Sequence, residues 1–195
     1  IASRFLQSAE GIRITINASD IEFRFQNSEN GIRRFSFSED SGQLIGIMGG
    51  SGVGKSTLLL LLSGQLPLNN GNIKINNYDL HRDRFKLKGI IGFVPQDDLL
   101  FEELTVYQNL YYNAKLCFGK YTEKQLSDTV NKLMKELNLT EIKDMKVGTP
   151  LNKFISGGQR KRLNIGLELM REPSILFIDE PTSGLSSMDA ENIIR

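Results

Sequence analysis

One hundred and ninety-five residues allow one ordinary domain and hardly two, since domains run to roughly 100–200 residues. The composition is 39% hydrophobic and 24% charged with only 5 Pro, which supplies a sizeable core and excludes a disordered chain. Lys and Arg number 24 against 23 Asp and Glu, and a net charge of +1 gives no electrostatic reason to expect nucleic acid or an anionic membrane as the main partner.

The first forty residues alternate with period two. Ile12, Ile14 and Ile16 sit between Arg13, Thr15 and Asn17; Ile21, Phe23 and Phe25 sit between Glu22 and Arg24; Phe35 and Phe37 flank Ser36. This predicts three short antiparallel strands, with a turn at Asn30–Gly31 between the last two. Leu44 to Met48 is a compact apolar run, the pattern of a buried parallel strand. It enters a glycine-rich loop, followed by a helix over Lys55 to Ser63 whose leucines should bury it against a sheet. Ile73 to Ile75 and Ile90 to Val94 predict two further strands, and His81, the only histidine, reads as a surface residue.

From Asp97 the pattern turns helical. Thr105-Val-Tyr-Gln108 and Thr122-Glu-Lys-Gln125 both fit the capping box. Leu126, Val130, Leu133 and Leu137 then make one apolar helix face. Cys117, the single cysteine, excludes an intramolecular disulfide and a cysteine zinc cluster, and points to a reducing compartment. A loop around Gly148–Pro150 leads to a third helix beginning near Ser156, and Ile175 to Ile178 returns to a buried strand. The result is one α/β core, residues 1–96 and 163–195, with a helical insert over about 97–162. The longest strongly apolar run, Leu58 to Leu62, is far short of the ~18–20 residues of a transmembrane helix, and nothing near the start reads as a signal peptide. The chain opens on Ile1 and stops at Arg195 in what reads as a young helix, so both ends look cut and a membrane-spanning part would lie out of view.

Gly49-Gly50-Ser51-Gly52-Val53-Gly54-Lys55-Ser56 is G-x-x-x-x-G-K-S between a predicted strand and a predicted helix, and with Thr57 it is the candidate nucleotide-phosphate site. Glycines let backbone N–H groups turn toward phosphate oxygens, and the helix start adds the positive end of its dipole. Lys55 would neutralise the β- and γ-phosphates, and the Ser56 hydroxyl would hold Mg²⁺. Ile175-Leu-Phe-Ile178-Asp179-Glu180 ends an apolar strand in two carboxylates. Asp179 suits Mg²⁺ through its water shell, and Glu180 is placed to polarise a water attacking the γ-phosphate.

Ile155-Ser156-Gly157-Gly158-Gln159 resembles the LSGGQ signature of the ATP-binding cassette family, with Ile for Leu. The resemblance covers nearly the whole chain. Gln96 in Phe-Val-Pro-Gln resembles the Q-loop glutamine, which implies contact with Mg²⁺ and the catalytic water; Asp179 to Leu185 resembles the Walker B end running into the D-loop. Phe25, about thirty residues before Lys55, is placed like the aromatic residue that stacks on adenine, with Phe23 as the second candidate. Val94-Pro-Gln-Asp-Asp98, Glu103-Leu-Thr-Val106 and Ser156-Gly-Gly-Gln-Arg-Lys-Arg162 are similar to the branch of the pigment and sterol half-transporters. The resemblance implies a P-loop NTPase fold: a parallel-sheet core, an N-terminal antiparallel β subdomain and an inserted α-helical subdomain. It also implies an ATPase that binds ATP and Mg²⁺.

Ser156 and two glycines at a helix start form a second anion site. A second phosphate site is redundant in a single chain, and two chains placed head to tail resolve the redundancy, as the resemblance also implies. Partners are then a second such ATPase domain and a transmembrane domain in the same or another chain, with no nucleic acid, at the cytoplasmic face of a membrane. Arg160-Lys161-Arg162 reads either as a phosphate or partner contact or as a solvated helix face. Two departures stand out. Ser186 occupies the position of the D-loop Asp, and the family's switch histidine has no counterpart after the D-loop, which implies poor turnover by these residues alone. The alternatives are a soluble cassette ATPase acting on DNA or ribosomes and a small-molecule P-loop kinase. Only about a hundred positions separate Lys55 from Ser156, which leaves no room for the long coiled coils of chromosome-type cassettes, and the signature with Gln96 disfavours a kinase.

Overall fold

The computed structural model describes residues 13–149, 154–183 and 185. The expected helix before Arg195, together with Ile12, Pro150, Gly184 and Ser186, lies outside the described residues. The chain packs as two compact units. Among the described residues one holds 13–93 with 174–179, and the other holds 94–149, 154–173, 180–183 and 185.

The first unit opens with β1 (Thr15–Arg24) and β2 (Gly31–Asp40), antiparallel partners. The two isoleucine-phenylalanine runs expected as separate strands are one strand. Alternation breaks once, between Ala18 and Ile21, where the register shifts and Asp20 takes φ 51. A bulge there returns Ile21 and Phe23 to the inner face without ending the ladder. The turn falls at 25–30, closed by Phe25 N–H donating to Asn30 O at 3.1 Å. Helix α1 (Lys55–Leu62) follows the glycine loop, then β3 (Asn70–Ile75) and the two-residue β4 (Tyr78–Asp79), giving sheet order β2-β1-β3-β4. Ile16, Ala18, Ile21, Ile73, Ile75 and Leu62 form its core, with Leu58 packed against it, so the leucines of α1 bury the helix as their pattern predicts. His81 is exposed.

Leu44 to Met48 is not a strand. Its residues are exposed, Leu44 at 74% and Met48 at 93%, and no described strand pairs with it. A run apolar on both faces becomes a parallel strand only where neighbours on both sides take up its N–H and C=O groups, and hydropathy alone does not supply them.

The second unit is helical: α2 (Val106–Cys117), α3 (Glu123–Glu136), a 3-10 turn over Thr140–Ile142, and α4 (Gly157–Leu169). Both expected capping boxes are present: Thr105 with Gln108 and Thr122 with Gln125. Leu126, Val130, Leu133 and Leu137 are buried together, and Gly166 of α4 faces them so closely that a β-carbon would sit 2.6 Å from Leu137. Strands β5 (Ile91–Val94) and β6 (Ile175–Ile178), on either side of the helical stretch in sequence, form a two-stranded sheet, with Ile175 N–H donating to Ile90 O at 2.9 Å. β6 is half-buried rather than buried.

Candidate functional site

The glycine loop enters the helix its motif predicts, though the strand expected before it, Leu44 to Met48, is not one. Gly52 and Gly54 hold φ of 76° and 99°, left-handed values that a β-carbon would strain, and Gly54 is the N-cap of α1. No side chain caps that helix and its first turn contains no acid, so its N-terminal amides face no competing acceptor from those sources. Lys55 Nζ donates to Gly49 O at 3.2 Å and Gly50 O at 2.8 Å, which keeps its charge folded against the loop. A curled backbone, a helix dipole and one ammonium together favour a polyanion and give a neutral ligand no advantage.

Beside the loop, within the same unit, lies a cleft of about 920 Å³ lined among others by Phe25, Arg33, Arg34, Gly52, Val53 and Thr57. Phe25 is 46% exposed and packs edge-on against buried Phe23, ring centroids 4.9 Å apart. Of the two candidate aromatics, Phe25 presents a free face and Phe23 supports it from beneath. The cleft's arginines are absent from the sequence expectations; Arg24 and Arg34 pair with Glu22 of the same lining at 3.4 and 3.8 Å, and Glu29 lines it too.

Asp179 is buried directly after β6, and the next residue, Glu180, has φ 44. A left-handed glutamate costs on the order of 1–3 kcal/mol, and such strain collects where a side chain must be aimed. Ser56 lies in the first turn of α1. A hydroxyl and a carboxylate are hard oxygen donors, the kind Mg²⁺ takes when phosphates and water complete its shell, so the residues present fit that ion. Gln96 follows β5 and is exposed, its carbonyl accepting from Lys161 Nζ at 3.4 Å.

Ser156 caps α4 through a capping box: its Oγ accepts from Gln159 N–H at 3.1 Å, and Gln159 Oε1 accepts from Ser156 N–H at 2.7 Å. Gly157 and Gly158 are the first two helical residues. The basic run that follows is neither a solvated face nor a surface contact. Arg160, Lys161 and Arg162 are all buried, and the first two reach the segment at Gln96. Sequence reasoning singled out Arg160 and Lys161 but not their tie to the Gln96 segment through Asp98 and two carbonyls; the paired acids Asp97-Asp98 beside Gln96 were the available signal.

A glycine loop at an uncapped helix start, an acidic strand end and a capped Ser-Gly-Gly helix start on one α/β chain define a nucleotide-binding domain of the ABC type. The ABC transporter family model matches residues 32–183, and the chain belongs to that family. It is 36% identical to a probable ATP-dependent permease of Saccharomyces cerevisiae over 99% of this chain and 19% of that protein. It is 42% identical to ABC transporter G family member 28 of Arabidopsis thaliana over 79% of this chain and 14% of that protein, and further G-family members match at similar identity. Among solved structures it superposes with TM-score 0.79 and 29% identity on cbiO1 of Clostridium perfringens, part of the ABC transporter complex cbiONQ, covering 92% of this chain and 70% of that one. The chain thus spans between 14% and 30% of the length of these curated G-family and permease relatives. No helix among the described residues is long and apolar enough to cross a membrane.

Proposed function

We propose that this chain binds Mg-ATP and hydrolyses it in a head-to-tail dimer of such domains, driving movement of a substrate across a membrane from its cytoplasmic face. The observation that supports this most is the uncapped start of α1 behind two left-handed glycines, with Lys55 folded over the loop. Residues 49–57 hold the phosphates, and Phe25 stacks on adenine. Ser56, Asp179 and Gln96 would hold Mg²⁺, which would supply charge neutralisation to the bound phosphates. Glu180 accepts a proton from water as its oxygen attacks the γ-phosphorus; the bond to the ADP oxygen breaks, leaving ADP and phosphate. Ser156, Gly157, Gly158 and Gln159 meet the nucleotide bound by the second domain, and a transmembrane domain receives the motion. No finding favours a soluble ATPase acting on DNA or ribosomes.

The test is Glu180→Gln in the intact protein. ATP affinity should hold while turnover falls about 10²–10⁴-fold, the range of a general base. Hydrolysis at the parental rate would assign the base to another residue.

A further inference from the structure

Three consecutive residues of α4 are basic and yet buried: Arg160 at 5% exposure, Lys161 at 8% and Arg162 at 8%. Cations stay buried only where partners replace their water. For the first two, those partners include one short segment, Pro95 to Asp98, which carries Gln96. Arg160 grips Asp98 bidentately, Nε to Oδ2 at 2.8 Å and Nη2 to Oδ1 at 2.9 Å. Its Nη1 donates to the carbonyls of Val147 and Gly148 at 3.3 and 2.6 Å. Lys161 Nζ donates to Pro95 O at 3.2 Å and Gln96 O at 3.4 Å. One turn further along α4, Asn164 Oδ1 accepts from Leu99 N–H at 3.3 Å. Three side chains of the helix that starts at Ser156 therefore fasten residues 95, 96, 98 and 99, while Gln96 itself stays exposed.

We propose that Arg160 and Lys161 are positioning residues that lock the Gln96 segment to the signature helix, so that Gln96 and Ser156 move as one body. The proposal rests on the roles given above to Gln96 and Ser156. Bidentate pairing fixes orientation as well as distance. Two consecutive carbonyls on one ammonium restrain the peptide planes on either side of Gln96, and with them the direction in which the Gln96 side chain leaves the backbone. The phosphates are held by residues 49–57, which this tie does not touch, and Gln96 is only one of three groups assigned to Mg²⁺, so loss of the tie appears chiefly in turnover and only slightly in affinity.

The experiment uses Lys161→Met, Lys161→Arg and Asp98→Asn in the intact protein, with kcat and KM for ATP, the Kd of a non-hydrolysable analogue, and hydrogen exchange of the amides of residues 96–99. Lys161→Met should lower kcat about 10-fold or more with KM and Kd within about two-fold, since small misplacements of catalytic groups cost up to about 10²-fold. Lys161→Arg, which keeps donors at that site, should recover most of the rate. Exchange at 96–99 should quicken in both Lys161→Met and Asp98→Asn. Should Lys161→Met fold poorly, Asp98→Asn gives the same split between kcat and Kd. An unchanged kcat per bound nucleotide, a rate loss that Lys161→Arg does not recover, or unchanged exchange at 96–99 overturns the tie. Failure of the ATPase reading shows separately, as absent Mg-ATP binding in the unsubstituted protein, and leaves the exchange result to judge the tie alone.

Discussion

Two helices of this chain begin where an anion is expected, and they begin in opposite ways. Helix α1 starts at Gly54 in a left-handed conformation, with no side-chain cap. Helix α4 starts at Ser156 in extended geometry, φ −68° and ψ 161°, inside a complete capping box. The box is the rule here, since Thr105 and Thr122 cap α2 and α3 the same way. Side-chain caps and anionic ligands compete for the same few N–H groups at a helix start. A glycine cap leaves them to the ligand, whereas a serine with Gln at the third position commits two of them to the fold. The phosphate loop is therefore poised within a single chain, while the signature is already closed on itself. A phosphate reaching α4 finds the amides of Gly157 and Gly158, and the hydrogen of a Ser156 hydroxyl whose oxygen is engaged with Gln159.

The largest expected effect breaks the open end. Lys55→Ala should weaken Mg-ATP binding by about 10–100-fold, because hydrogen bonds to charged groups contribute roughly 1.5–3 kcal/mol. Its melting temperature should hold, since among the described residues the ammonium's hydrogen bonds go to the carbonyls of Gly49 and Gly50. Titration with a fluorescent ATP analogue measures this, and unchanged affinity removes Lys55 from the phosphate site. A smaller effect on a single chain tests the closed end. Gly157→Leu should spare ATP binding by the monomer yet abolish nucleotide-induced dimerisation, read by light scattering in a Glu180→Gln background. A variant that dimerises normally would sink the head-to-tail arrangement.

What the sequence made legible is what short range decides. Capping boxes span four residues and the apolar face of α3 one helix, and each is where its pattern placed it; the glycine turns before α1 are there too, without the strand expected ahead of them. The failures are long-range. Leu44 to Met48 has strand composition, but pairing needs neighbours that no local window displays. The two N-terminal runs read as separate strands because a bulge interrupts period two without interrupting the ladder. Arg160-Lys161-Arg162 reads as open to solvent because buried cations are rare, and the Asp98 carboxylate that pairs Arg160 and the carbonyls that hold Lys161 lie 62 to 66 positions away.

The smallest effect sharpens the comparison by separating cap from ligand contact. Gln159→Ala removes the acceptor of Ser156 N–H, and Gln108→Ala removes that of Thr105 N–H, bonds of 2.7 and 2.9 Å in the same motif. As caps the two are alike, so each substitution should cost on the order of 0.5–1 kcal/mol. For a chain of this size that lowers the melting temperature by about 1–4 °C. Only Gln159 belongs to the helix start assigned to a second domain's nucleotide, so only Gln159→Ala should also weaken ATP-induced dimerisation. Calorimetry for the melting temperature and light scattering for the dimer, run on both variants, decide the matter. Equal dimerisation in the two would mean that Gln159 acts as a cap alone, and that any phosphate at α4 is held by Ser156 and the two glycine amides.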